Sequence, residues 1–70
     1  MLQMTTIKKF DNSERLVFLK ENNGKYFVSV YFGESSQTYS RTYKRLNYAL
    51  NMFSTYVGYP EQVIRERRYF

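Results

Sequence analysis

Four short runs of the chain alternate apolar and polar residues with a period of two, which is the pattern of half-buried strands. They are "MTTIKKF" (4–10), "RLVFLKE" (15–21), "KYFVSVYF" (25–32) and "QTYSRTY" (37–43). Each is rich in β-branched or aromatic residues, which suit a pleated surface. Turn-forming residues separate them: "DNSE" after the first run, "ENNGK" after the second and "GESS" after the third. Asn23-Gly24 is the strongest hairpin signal, because both residues tolerate the positive φ of a type I′ turn. A two-residue loop there sets Leu19 opposite Val28 and Val17 opposite Val30. An even loop at "GESS" then brings Tyr39 beside Val30 and Tyr43 near Tyr26. One face therefore carries Val17, Leu19, Tyr26, Val28, Val30, Phe32, Tyr39 and Tyr43, the expected core. The other carries Leu16, Phe18, Lys20, Lys25, Phe27, Ser29, Tyr31, Thr38, Ser40 and Thr42, half aromatic and half hydroxylated. The first run presents either Ile7 or Phe10 inward, because "DNSE" does not fix its register.

From Lys44 to about Tyr56 the period changes to that of a helix. Leu46, Ala49, Leu50, Phe53 and Val57 form one stripe at i, i+3, i+4, i+7 and i+11. Gly58 is a natural C-cap, and Pro60 prevents continuation. A second stripe, Tyr48, Met52, Thr55 and Tyr59, lies beside the first. Between Arg45 and Glu61 stand fifteen residues without a charge, unusual for the outer side of a surface helix. Either the tail "EQVIRERRYF" folds back over this stripe as a strand or short helix, through Val63, Ile64, Tyr69 and Phe70, or another chain covers it, or it is simply exposed, as scattered surface apolar residues often are. The expected fold is α+β: one domain over residues 1–70, a three- to four-stranded antiparallel meander with one helix packed on one face, and a short C-terminal strand or helix.

Composition narrows what such a domain can do. Seventy residues bury a thin core, and with no Cys and no His the chain lacks disulfides and the usual zinc ligands. Eight Tyr and six Phe supply the apolar bulk. No apolar run approaches the roughly 18 residues that span a bilayer, and "MLQMTTIKKF" has no signal-peptide apolar stretch. A cytoplasmic protein is expected, with no membrane partner, no metal and no cofactor. The net charge is +5, which either favours anionic partners or serves solubility alone, since a net charge of about 2–8 is ordinary for a small domain. The charge is uneven: Arg41, Lys44 and Arg45 cluster before the helix, and Arg65, Arg67 and Arg68 crowd the C-terminus.

Catalysis finds little to work with. No His or Cys is present as base or nucleophile. Glu14, Glu21 and Glu34 fall at or beside predicted turns, and the three glycines are isolated rather than gathered into a phosphate loop. The expectation is a binding protein and not an enzyme. A sheet that sets Phe18, Phe27 and Tyr31 among Lys20 and Lys25 can stack bases, with Arg41, Lys44 and Arg45 on backbone phosphates. Phe18 paired with Phe27 across the hairpin, serving stability alone, is the simpler alternative. The uncharged helical stripe of Tyr48, Met52, Thr55 and Tyr59 suits a protein interface, to a second copy or a different protein, because Tyr and Met are enriched at interface cores.

Two resemblances bear on this choice. "NGKYFVSVYF" followed by "TYSRTYKRLNYALNMF" is similar to the N-terminal arm-binding domains of phage and transposon tyrosine integrases. The likeness rests on Gly24-Lys25-Tyr26, Val28 and Val30, Tyr43 before the helix, and Ala49 with Phe53 inside it, over residues 15–57. It implies three antiparallel strands and a helix, with the sheet inserted into the DNA major groove. Here the outward face bears hydroxyls where such a sheet has more Arg and Lys. In size, aromatic content and standalone sheet-plus-helix plan, the chain also resembles small phage-encoded anti-defence proteins of the anti-CRISPR kind. That resemblance implies a non-enzymatic inhibitor in the host cell cytoplasm, occluding a nucleic-acid-handling protein complex stoichiometrically. Small DNA- or RNA-binding protein is the alternative expectation.

Overall fold

The computed structural model describes residues 4–33 and 37–66. Four strands, β1 (Thr5–Asp11), β2 (Arg15–Asn22), β3 (Lys25–Phe32) and β4 (Gln37–Tyr43), are followed by helices α1 (Leu46–Gly58) and α2 (Glu61–Glu66). The strands form one antiparallel sheet in the order β1-β2-β3-β4. This is the expected α+β meander, with α1 packed across one face of β2, β3 and β4. No described helix is long and apolar enough to cross a membrane. Arg67, Arg68, Tyr69, Phe70 and Glu34 lie outside the described residues.

The β2–β3 hairpin turns as its sequence requires. Asn23 and Gly24 both take positive φ, 55° and 77°, the signature of a two-residue type I′ loop. The Glu21 carboxylate accepts from the Gly24 N–H at 3.0 Å. The register follows: Leu19 opposes Val28, Val17 opposes Val30, Val30 opposes Tyr39 and Tyr26 opposes Tyr43. All the residues assigned to the core face lie on it. Val17, Leu19, Val28, Val30 and Phe32 are buried, and Tyr26, Tyr39 and Tyr43 pack against them.

The first strand is settled by a bulge. Thr6 opposes Lys20 and Lys8 opposes Leu19, so Ile7 is an extra residue and the register shifts. Phe10 then packs inward against the core opposite Val17, while Ile7 remains exposed. Asn12 shapes the β1–β2 turn, its side-chain oxygen accepting from the Glu14 and Arg15 N–H groups at 2.9 and 2.8 Å.

The helix differs from its expected orientation. Ala49, Met52, Phe53 and Tyr56 are its buried residues, whereas Leu46 is exposed and Leu50 and Val57 are half-buried. Its buried face is thus rotated toward the Met52–Tyr56 side. The aromatic volume of Tyr56 wins the core over the smaller Val57, and the tail helps, since Ile64 of α2 also enters the core. The C-terminus differs too. Gly58 does not adopt a left-handed cap. The helix ends at Tyr59, which is extended at φ −92° and ψ 147°, because the following Pro60 excludes helical backbone at the residue before it.

Arg15 ties the two layers together. Its side chain is only 6% exposed. Its guanidinium donates to the Tyr56 and Tyr59 carbonyls at 2.7 and 2.6 Å, pairs with Glu14 at 2.9 Å and lies 4.8 Å from the Phe32 ring centre. Helix α1 has no basic residue in its last turn. The sheet therefore supplies the cation that its C-terminal carbonyls attract.

Candidate nucleic-acid interface

Both helices contribute to the core on one side of the sheet, so the described residues leave the other side open. Strand parity determines what that side displays. Leu16, Phe18 and Lys20 of β2 stand opposite Tyr31, Ser29 and Phe27 of β3, which in turn oppose Thr38, Ser40 and Thr42 of β4. A shallow groove of about 240 Å³ runs over this surface, lined by Phe18, Lys20, Phe27, Ser29, Tyr31 and Ser40 among others. Tyr31 is 43% exposed, and Phe18 and Phe27 are half-buried. These are partly exposed aromatic surfaces held in place by a sheet.

Phe18 is the centre of the arrangement. Its ring meets Tyr31 edge-on, with centroids 6.1 Å apart and planes at 78°. The hairpin pairing expected with Phe27 is replaced by this diagonal contact, because Phe18 stands directly opposite Ser29, and Phe27 opposite Lys20. The Lys20 ammonium lies 4.6 Å from the Phe18 ring centre and the Lys9 ammonium 5.9 Å. Both are cation–π distances. Lys9 is not among the candidates that the sequence singles out. It reaches this face because the bulge at Ile7 sets it opposite Phe18, and no sequence signal fixes that bulge. The face thus carries Lys9, Lys20 and Lys25 against Asp11.

The remaining basic residues disperse. Lys44 and Arg45 are exposed between β4 and α1, and Arg65 is exposed on α2. Arg41 contributes to the lining of the open-face groove, although the strand alternation sets it inward. It opposes Val28 in the register, so its parity is that of Tyr39 and Tyr43, on the side the helix covers. Its positive charge acts on the Tyr56 hydroxyl beneath the sheet. Burial pushes the Tyr56 and Tyr43 hydroxyls above their ordinary pKa, and Arg41 opposes that shift in both.

The helical stripe divides. Tyr48 and Tyr59 are exposed, and Thr55 is half-buried. Met52 is not an outward residue: at 5% exposure it belongs to the core. Beside this stripe a depression of about 380 Å³ lies between the helix and the β4 side of the sheet, lined by Tyr43, Tyr48, Asn51, Met52 and Thr55.

The carboxylates serve turns. Glu14 holds Arg15 and Glu21 holds Gly24, and no group of acidic side chains placed to hold a metal stands among the described residues. No known protein family matches the chain, and no curated protein or solved structure is significantly similar to it.

Proposed function

We propose that this chain is a non-enzymatic binding protein whose open sheet face takes single-stranded nucleic acid. One observation carries the reading: Phe18 stands in a groove with Tyr31 against its edge and the Lys9 and Lys20 ammonium groups at its ring. A base has a π-face that stacks on an exposed aromatic ring, and the phosphates on either side need cations within a few ångströms. Phe18, Phe27 and Tyr31 offer the first. Lys9, Lys20 and Lys25 offer the second. The hydroxyls of Ser29, Ser40, Thr38 and Thr42 add donors and acceptors for base edges or sugars. Single strands are favoured over duplex, since stacking requires splayed bases and the face lacks the arginines that read a major groove.

Salt-titrated binding to single-stranded DNA and RNA tests this. The expected result is micromolar affinity at low salt that falls steeply as salt rises, because each phosphate contact releases counterions. Failure to bind either at low salt would refute it.

A second reading keeps the exposed Tyr48 and Tyr59 in view. It is a protein encoded by a phage or other mobile element that blocks a nucleic-acid-handling complex by occupying one of its surfaces. Tyr is a frequent interface anchor. In that case Tyr48→Ala, and not Phe18→Ala, abolishes partner binding, and salt acts mainly on the association rate.

A further inference from the structure

We infer that the β4 edge of the sheet is an interface to a second copy of this chain, joining two sheets antiparallel about a twofold axis at Ser40. The first observation is the contrast between the two edges that the strand order leaves at β1 and β4. β1 bears the devices that discourage edge pairing: a bulge at Ile7, with Lys8 and Lys9 beside it. β4 pairs with β3 without a register shift over Gln37–Tyr43 and contains neither Pro nor Lys. Among the described residues β4 carries fewer such devices, so it is the edge better able to accept a strand.

The second observation is that β4 complements itself. Paired antiparallel about Ser40, Thr38 meets Thr42 of the second copy, Ser40 meets Ser40, and Tyr39 meets Arg41. Thr–Thr pairs are favourable cross-strand neighbours, and an arginine beside a tyrosine ring is an attractive contact. Arg41 is the one charge in the strand, and this register keeps it from facing its own copy. Inward charge on an edge strand commonly guards against pairing, but in this register Arg41 meets Tyr39 of the second copy and not a like charge.

The third observation is the depression between Tyr43, Tyr48 and Thr55. It lies on the β4 side of α1, where the second copy's helix layer would sit. Its lining is uncharged. A twofold interface of this kind is isologous and closed. It would also join the two open faces into one platform, with hydroxyls at the centre and a Phe18 site on either side.

The test is the mass of the pure protein in solution, together with two variants. The expected mass is twice the 8.5 kDa of the chain. Ser40→Lys puts like charges opposite each other and should weaken the dimer roughly tenfold or more. Ser40→Cys places the sole thiol pair at the axis, with Cβ atoms about 4.5–5.5 Å apart. It should cross-link under mild oxidation much faster than Ser54→Cys, which is exposed on the helix. A single-chain mass for the native protein overturns the inference. So does a dimer that tolerates Ser40→Lys and in which Ser40→Cys cross-links no faster than Ser54→Cys. A monomer that still binds nucleic acid removes this interface and leaves the sheet-face reading standing.

Discussion

The two faces of the sheet are built from neighbouring residues and have opposite fates. Leu19 is fully buried beneath α1, while Phe18, one residue earlier, stands in the open groove. The inner face has a dry aliphatic centre, with Val17, Leu19, Val28 and Val30 all at zero exposure, ringed by Phe10, Tyr26, Phe32, Tyr39 and Tyr43. The outer face has comparable aromatic content but interleaves it with lysines and hydroxyls. Phe18, Phe27 and Tyr31 gather on that outer face, with Phe18 and Tyr31 in edge-on contact. Strand parity thus assigns apolar residues of this chain to two different environments.

The sharpest way to break this contrast is to truncate one residue on each face. Leu19→Ala should destabilise the fold by about 3 kcal/mol, through lost burial and the cavity left behind. That is a large share of the roughly 3–10 kcal/mol expected for a domain of this size. Urea denaturation reads it, and a cost below ~1 kcal/mol would mean the inner face is not the core.

Arg15→Ala should follow closely. It leaves the Tyr56 and Tyr59 carbonyls without their cationic donor, at a cost of about 2–3 kcal/mol. Loss of near-neutral stability with the sheet retained by circular dichroism would locate the damage at the helix end. An unchanged midpoint would show that Arg15 is not the clamp between the layers.

Phe18→Ala should be mild for folding and severe for binding. It removes an edge-on contact with Tyr31 worth ~1 kcal/mol but a stacking platform worth about 1–3 kcal/mol per base. Lys9→Ala and Lys20→Ala should each lower the salt dependence of binding by roughly 0.7 in slope, as for one single-strand phosphate contact.

The smallest effect is at high pH. Burial raises the Tyr56 and Tyr43 pKa values in the folded state. Once pH passes 10.0, the ordinary tyrosine value, the unfolded chain releases protons that the folded chain keeps. Stability should be level through neutral pH and decline as pH climbs above that value. Tyr56→Phe should flatten that decline, and an equally steep fall in the variant would assign it to other groups.

Most of the sheet was legible in the chain. Asn23-Gly24 fixes one register, and a period of two then carries it across β2, β3 and β4 to the Tyr26–Tyr43 pair. The open-face aromatics follow from the same parity. Three features were not legible, each for a physical reason. The bulge at Ile7 adds one residue to β1, which hides Lys9 from any parity argument. The rotation of α1 depends on which side chains best fill the space above the sheet, so Met52 and Tyr56 displace Leu50 and Val57. Arg15 reads as an ordinary strand-end charge because its partners are backbone carbonyls more than forty residues away.

The most direct test of the two-face account is a salt-titrated binding measurement on single-stranded RNA and DNA, run with the native protein and Phe18→Ala after both are shown to be folded. The account predicts micromolar, salt-steep binding by the native protein, weakened about tenfold or more in Phe18→Ala. Native binding that Phe18→Ala leaves unchanged, or no binding at low salt by a folded native protein, would contradict it.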